Sequence, residues 1–74
     1  MKKKVMLNLS KNIYDYSKIK SSVEAFKGIV NTAVQEENER YVCQFDDFKL
    51  DQSKTIMEFE NYLINLMNRS GDVN

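Results

Sequence analysis

Apolar and polar side chains alternate near the start of the chain. Two sets of positions interleave there, Val5, Leu7 and Leu9 in one set and Met6, Asn8 and Ser10 in the other. A period of two is typical of a β-strand with one buried face. The pattern therefore predicts a first strand that buries the side chains of the first set.

A helical spacing follows this strand. Apolar residues recur at intervals of four, three and four, at Ile19, Val23, Phe26 and Val30. This spacing places them on one face of an amphipathic helix. Asp15 or Ser17 can cap the helix start by accepting a backbone N–H bond. Gly28 is expected to close the last turn, because glycine readily adopts a positive φ.

Two more strands and a second helix are predicted downstream. Residues 29–35 are rich in β-branched side chains, which favour a second strand, and the polar residues 36–39 form a hairpin-sized gap. The third strand is expected to alternate Tyr41, Cys43 and Phe45 with polar or smaller residues. Residues 46–51 connect it to the last helix, and within this segment Phe48 and Leu50 are expected to tuck under the sheet edge.

The last helix has an unusually wide apolar stripe. Asp51 or Ser53 is expected to cap it, and residues 70–74 are expected to be its stop and a frayed tail. Its apolar residues are Ile56, Phe59, Leu63, Leu66 and Met67 in one row, with Met57, Tyr62 and Ile64 beside them. A stripe wider than about 100° either completes a small core or faces a partner.

These elements predict one α+β domain of order β-α-β-β-α spanning residues 1–74, with a core at about 4–69. The 74 residues are too few to build a second hydrophobic core. A strand, a helix and a hairpin place strand three between the other two, in an antiparallel or mixed sheet of order 1-3-2. Both helices are expected to cover one face of the sheet. This is a ferredoxin-like fold lacking its last strand.

Such a sheet leaves the outer edge of the first strand unpaired. We expect residues 4–10 to accept a β-strand from a partner, which is a common use of an open edge. The alternative is that the lysines at positions 2–4 are there to discourage pairing, since charged residues protect natural sheet edges.

Charge is balanced overall but divided along the chain. Residues 1–27 carry seven lysines and two carboxylates, whereas residues 28–74 carry nine carboxylates and four basic residues. The zero net charge argues against nucleic acid as a partner, because phosphates demand a basic surface. The division is interpreted as solvent-exposed lysines that cover one helix and solvent-exposed carboxylates that cover a hairpin and a turn. The alternative is a polarised surface that orients a charged partner.

The residues that carry most enzyme chemistry are missing or isolated. The chain has no histidine, the commonest general base and metal ligand. Cys43 occupies an apolar strand position with no base nearby in sequence, and Asp46 and Asp47 point to opposite sides of an extended segment. The two glycines stand too far apart for a phosphate-binding loop. We therefore expect no enzymatic activity, cofactor or metal.

Sequence features also bear on location. No run of about 18 apolar residues is present, so no membrane span is predicted. The basic start is interrupted by polar residues too soon to form a signal peptide. A lone cysteine is typical of a reducing compartment. The chain is therefore expected in the cytoplasm of a bacterium.

Two stretches resemble a known family. They are Leu7-Asn8-Leu9-Ser10-Lys11-Asn12-Ile13-Tyr14 with Tyr16-Ser17-Lys18-Ile19-Lys20, and Phe59-Glu60-Asn61-Tyr62-Leu63-Ile64. They look like the HxsD-like proteins of His-Xaa-Ser peptide-maturation systems. The resemblance implies an accessory protein that presents a precursor peptide to, or docks on, a radical S-adenosylmethionine (SAM) enzyme. The chain lacks the cysteine cluster that would bind such an enzyme's iron–sulfur centre.

The sequence thus predicts a small non-catalytic binding protein whose partner is a protein or a peptide. The residues expected to contact this partner are Lys4, Met6, Asn8, Ser10, Tyr14, Tyr62 and Met67. Two alternatives stay open at this point. One is a homodimeric structural module that pairs through the wide stripe of the last helix, and the other is a regulatory module that binds a small ligand.

Overall fold

A computed structural model describes the backbone of residues 4–71 and the side chains of residues 4–68. Five elements follow one another: β1 Val5–Ser10, α1 Tyr16–Phe26, β2 Asn31–Glu36, β3 Arg40–Asp46 and α2 Gln52–Gly71. This order confirms the predicted β-α-β-β-α arrangement of an α+β fold. Neither helix in this part of the chain is long and apolar enough to cross a membrane.

β3 lies in the middle of a three-stranded sheet of order β1-β3-β2, and both of its pairings are antiparallel. The register places Leu7 of β1 opposite Cys43 of β3, and Cys43 opposite Val34 of β2. Residues directly opposite each other share a face of the sheet. The predicted strand order is confirmed, and β1 and β2 are the two edges of the sheet.

The helices cover one face of the sheet, where the hydrophobic core lies. Its buried cluster consists of Leu9, Ile19, Val30, Cys43, Phe45, Phe59 and Leu63. Phe59 of α2 packs edge-on against Phe45 of β3, with ring centroids 4.9 Å apart, and against Phe26 of α1 at 5.5 Å. Edge-to-face contact is a favourable geometry for aromatic rings. Phe59 therefore joins α2 to the sheet and to α1, and the prediction of two helices on one face is confirmed.

The two helices begin differently. The carboxylate of Asp51 accepts the backbone N–H of Lys54 at 2.9 Å, which is the predicted N-cap of α2. Asp15 precedes α1 in an extended conformation, but its side chain caps no backbone N–H. At its other end α2 continues to Gly71, past the predicted stop at residue 70. The rest of the predicted tail, residues 72–74, lies outside the described part of the chain.

α1 ends at Phe26 with Lys27 as its C-cap, close to the predicted end near Gly28. The backbone N–H groups of Ile29 and Val30 both donate to the carbonyl of Phe26, at 2.9 and 3.0 Å. The chain therefore turns without a left-handed residue, and the prediction of a positive φ at Gly28 was wrong. Val30 is buried directly before β2 rather than on the helix. β2 itself begins at Asn31, two residues later than expected.

The connection from β3 to α2 bends at Asp47, a non-glycine residue with a positive φ of 56°. Asp tolerates this region because its short polar side chain can bond locally. Phe48 packs against the core, as predicted. Leu50 is 62% exposed, so the prediction that it tucks under the sheet was wrong. Together with Phe26 and Ile29 it lines a cavity of about 320 Å³ beside the start of α2.

The other face of the sheet, called the outer face below, carries neither of the described helices. Its residues are Met6, Asn8 and Ser10 of β1, Arg40, Val42, Gln44 and Asp46 of β3, and Asn31, Ala33 and Gln35 of β2. Val42, at its centre, is only 7% exposed. Asn8 and Gln35 lie directly beside it in the neighbouring strands. Polar side chains, rather than another layer, therefore flank the central apolar residue of this face.

Candidate peptide-binding edge

One bond at the end of β1 reveals which of its backbone groups are unpaired. The N–H of Lys11 donates to the carbonyl of Glu39 at 3.0 Å, so these residues extend the β1–β3 register as a hydrogen-bonded pair. Hydrogen-bonded and non-bonded pairs alternate along an antiparallel ladder. The odd-numbered residues of β1 therefore bond to β3, and the even-numbered residues direct their backbone groups away from the sheet.

The outward backbone groups of Met6, Asn8 and Ser10 are called the open edge below. The Ser10 carbonyl already accepts the N–H groups of Ile13, at 3.1 Å, and Tyr14, at 2.9 Å. Both groups of Met6 and Asn8 and the N–H of Ser10 have no such backbone partner within residues 4–71. The open edge therefore offers donors and acceptors to an extended chain, as the sequence predicted for residues 4–10.

Side chains on both faces of β1 are incompletely covered. On the helix side, Val5 and Leu7 pack against the core but stay half-buried, whereas Leu9 is buried. On the outer face, Met6 is 60% exposed and Asn8 is also exposed. A strand added beside β1 would remove apolar surface of Val5, Leu7 and Met6 from water, and this burial adds to the backbone bonds.

A shallow polar groove adjoins the open edge on the outer face. It has a volume of about 640 Å³ and is lined by Asn8, Ser10, Glu37, Asn38, Glu39 and Arg40. The sheet register explains its position, because Ser10 lies opposite Arg40 at the base of the β2–β3 hairpin. The sequence predicted the hairpin but not its part in this site. Only the register between β1 and β3 brings the four hairpin residues beside Asn8 and Ser10.

The predicted partner-binding residues do not form one cluster. Lys4 is exposed directly before β1, and the three strand residues Met6, Asn8 and Ser10 lie together on the outer face. Tyr14 and Met67 instead pack against the core on the helix side. Tyr62 is 38% exposed and rests edge-on against Phe26, with ring centroids 5.8 Å apart. The structure therefore groups the β1 residues and separates the other three from them.

A charged contact ties the ends of β1 and β2 together on the helix side. The Lys11 ammonium lies 2.6 Å from the Glu36 carboxylate and 5.3 Å from the centre of the Tyr41 ring. The Tyr41 ring in turn packs against the Tyr16 ring of α1, with centroids 5.4 Å apart and planes tilted by 39°. Partly exposed ion pairs contribute little stability, about 0–1 kcal/mol. This cluster therefore orients the strand ends more than it stabilises the domain.

The described residues show little sign of a catalytic centre. Cys43 is fully buried, and burial raises the pKa of its thiol to about 11. A thiol with so high a pKa is protonated at neutral pH and is a poor nucleophile. No group of three or more acidic, cysteine or histidine side chains that could hold a metal is found in the searched part of the chain. The open edge is therefore the best-defined candidate site.

No protein-family model, curated protein or solved structure matches the chain. The fold assignment thus depends on the strand order and register described above. The resemblance to the HxsD-like family stays a prediction.

Proposed function

We propose that the protein is a non-catalytic accessory protein that binds an extended peptide segment along the open edge of β1. The observation that carries the proposal is the position of β1 at the sheet edge, where the outward backbone groups of Met6 and Asn8 have no backbone partner among residues 4–71. A guest strand would gain main-chain hydrogen bonds there, and pockets for alternate side chains would give it specificity.

The chemistry of the surroundings supports a peptide as the guest. The groove beside the edge contains two carboxylates, a guanidinium and amide side chains, which can bond to polar side chains of a bound strand. The HxsD-like resemblance adds a context, in which the guest is a precursor peptide or a segment of a radical SAM enzyme in the bacterial cytoplasm. Within this proposal the enzyme performs the chemistry, and this protein positions the peptide.

A proline substitution tests the proposal directly. Asn8→Pro removes an outward N–H donor, and proline is tolerated on edge strands where its nitrogen faces solvent. We expect it to weaken binding of a precursor peptide or radical SAM enzyme of a His-Xaa-Ser system by about tenfold, the effect of losing about 1.4 kcal/mol. Isothermal titration calorimetry with purified components measures the change.

Glu36→Pro is the matched control, because it removes an outward N–H from the other edge of the sheet. Glu36→Gln is measured beside it, because both substitutions remove the carboxylate that pairs with Lys11 at the end of β1. We expect Glu36→Pro to leave peptide affinity unchanged while circular dichroism shows both proline variants folded. At a protein concentration low enough for the chain to be monomeric, amide exchange should slow at Met6, Asn8 and Ser10 when the peptide binds. Exchange rates that stay the same at these three amides on binding would falsify the proposal.

A further inference from the structure

We propose that in the absence of a peptide the open edge is occupied by a second copy of this chain, with the two β1 strands antiparallel and Leu7 opposite Leu7. The inference uses the same edge as the proposed function but does not depend on any peptide. It makes the resting protein a two-fold symmetric dimer with one continuous six-stranded sheet. The peptide then competes with the second copy for β1.

The hydrogen-bonding groups on the edge are self-complementary in this register. Met6 faces Asn8 of the second copy, and Asn8 faces its Met6, so each pair exchanges two N–H···O bonds. The N–H of Ser10 meets the carbonyl of Lys4 of the second copy. Every outward N–H of β1 then has an acceptor, and only the N–H of Lys4, which precedes β1, faces the Ser10 carbonyl that the turn already uses.

Neighbouring registers match less well. Centring the pair on Asn8 directs the Met6 N–H to the Ser10 carbonyl, which already accepts two bonds from Ile13 and Tyr14. Centring it on Met6 places Val5 opposite Leu7, so Leu9 has no apolar partner among residues 4–10 of the second copy. Among these registers, only the pairing of Leu7 with Leu7 keeps the Met6 N–H away from the Ser10 carbonyl and also pairs Val5, Leu7 and Leu9 with one another.

Side chains also complement one another in this register. On the helix side, the half-buried Leu7 residues meet each other across a non-bonded pair, where side chains approach most closely. The half-buried Val5 meets Leu9 of the second copy. The apolar surface that the edge leaves uncovered in the monomer is thereby removed from water on both copies.

Charge favours the same arrangement. Lys4 of one copy lies beside Ser10 of the other, at the groove lined by Glu37 and Glu39. Glu37 already pairs with Arg40 of the same groove at 2.9 Å, whereas within the described part of the chain neither Lys4 nor Glu39 has an ion pair of its own. Glu39 of the second copy therefore supplies Lys4 with an ion pair on each side of the dimer. Two chains of zero net charge also approach without overall repulsion.

Disulfide trapping tests the register. Single substitutions Met6→Cys, Leu7→Cys and Asn8→Cys are made with Cys43→Ala to remove the native thiol, and each protein is oxidised under mild conditions. We expect Leu7→Cys alone to form a covalent dimer efficiently, because only this position faces itself. Preferential cross-linking through Met6→Cys or Asn8→Cys overturns the register.

Sedimentation equilibrium of the uncross-linked protein tests the dimer itself, over about 1 µM to 1 mM, a range that spans weak and moderate association. We expect a reversible dimer that Asn8→Pro and Lys4→Glu each weaken about tenfold or more and Glu36→Pro leaves unchanged. A monomer at every concentration overturns the inference. So does a dimer that resists Asn8→Pro but is lost with Met57→Gln and Ile64→Gln, since exposed α2 residues would then carry it.

The two proposals fail in different ways. A protein that is monomeric at every concentration but binds peptide with protection of the Met6 and Asn8 amides overturns the second-copy inference and supports the proposed function. A dimer trapped through Leu7→Cys that binds peptide no less tightly than the untrapped protein supports the second-copy inference and removes β1 as the peptide site.

Discussion

The two edges of the sheet differ in how their unpaired backbone groups relate to its faces. At β1 the outward groups belong to residues whose side chains lie on the outer face. At β2 the bond from the Glu37 N–H to the Arg40 carbonyl, 2.8 Å, fixes the opposite alternation, so Thr32, Val34 and Glu36 point their backbone groups outward. The side chains of these three residues lie on the helix side.

This difference decides what a guest strand would contact. Directly bonded residues of an antiparallel guest share a face with their partners. A guest at β1 therefore places the side chains of its bonded residues on the outer face, beside the polar groove. At β2 the corresponding side chains would meet the helix side. The comparison favours β1 as the edge that binds other chains.

Proline substitutions should give the largest differences in folding stability between inward-facing and outward-facing N–H positions. Ala33 is exposed and its N–H faces β3, so Ala33→Pro should cost about 2–3 kcal/mol through the lost ladder bond. Asn8→Pro and Glu36→Pro remove outward N–H groups and should each cost less than about 1 kcal/mol. Urea denaturation measures all three. Equal losses for Ala33→Pro and Asn8→Pro would contradict the alternation assigned to β1.

The next largest effect concerns Cys43 of β3, the strand between the two edges, and it is a loss of folding stability at alkaline pH. The buried Cys43 thiol keeps its proton to about pH 11, whereas an unperturbed thiol has a pKa of 9.0. Between these values the folded chain binds more protons than the unfolded one, so its stability falls as the pH rises, by about 2–3 kcal/mol in all. Below pH 9 this contribution is constant.

Cys43→Ala serves as the control for this effect, since it removes the thiol while lysine and tyrosine titrations remain. We expect the wild-type protein to lose more stability than Cys43→Ala between pH 8.5 and pH 11 in denaturant titrations. Parallel pH profiles for the two proteins would show that the thiol ionises as freely in the folded chain as in the unfolded one.

The smallest expected effect concerns the β2 edge. The Thr32 hydroxyl is buried and has no hydrogen-bond partner among the described residues. Thr32→Val replaces this hydroxyl by a methyl group of similar shape and should stabilise the domain by about 1 kcal/mol. Thermal denaturation measures the gain, with the exposed Ala33→Val on the other face as the control. A lower melting temperature for Thr32→Val would indicate that the hydroxyl has a partner.

The order of the elements and of the strands was predictable because the spacing of apolar residues along the sequence distinguishes strands from helices. Alternation marks β1 and β3, and the spacing of Phe59 and Leu63 marks α2. A helix spacing misled at Val30, where an apolar residue stands four positions after Phe26 but belongs to a turn. The sequence could not distinguish Val30 from a true helix residue such as Leu63, because both side chains are apolar and buried in the same core.

The candidate site was only partly predictable. The even-numbered residues of β1 follow from the alternation alone, since one face was assigned to the core. Arg40 and the hairpin carboxylates could not be placed beside Ser10 without the register, which depends on turn geometry. Tyr14 and Met67 were expected at a partner surface because they are large and near the strand or on the wide stripe. Both complete the core of a domain that has few side chains to spare.

The burial of Val42 limits how this architecture can grow. A sheet whose helix-free face displays a broad apolar area tends to stack against a further layer, as in a sandwich. Here Asn8 and Gln35 flank the central valine, so a second layer packed on this face would bury little apolar surface. Assemblies built from this domain should therefore grow by adding strands at the edge of the sheet. They should form wider sheets rather than two packed layers.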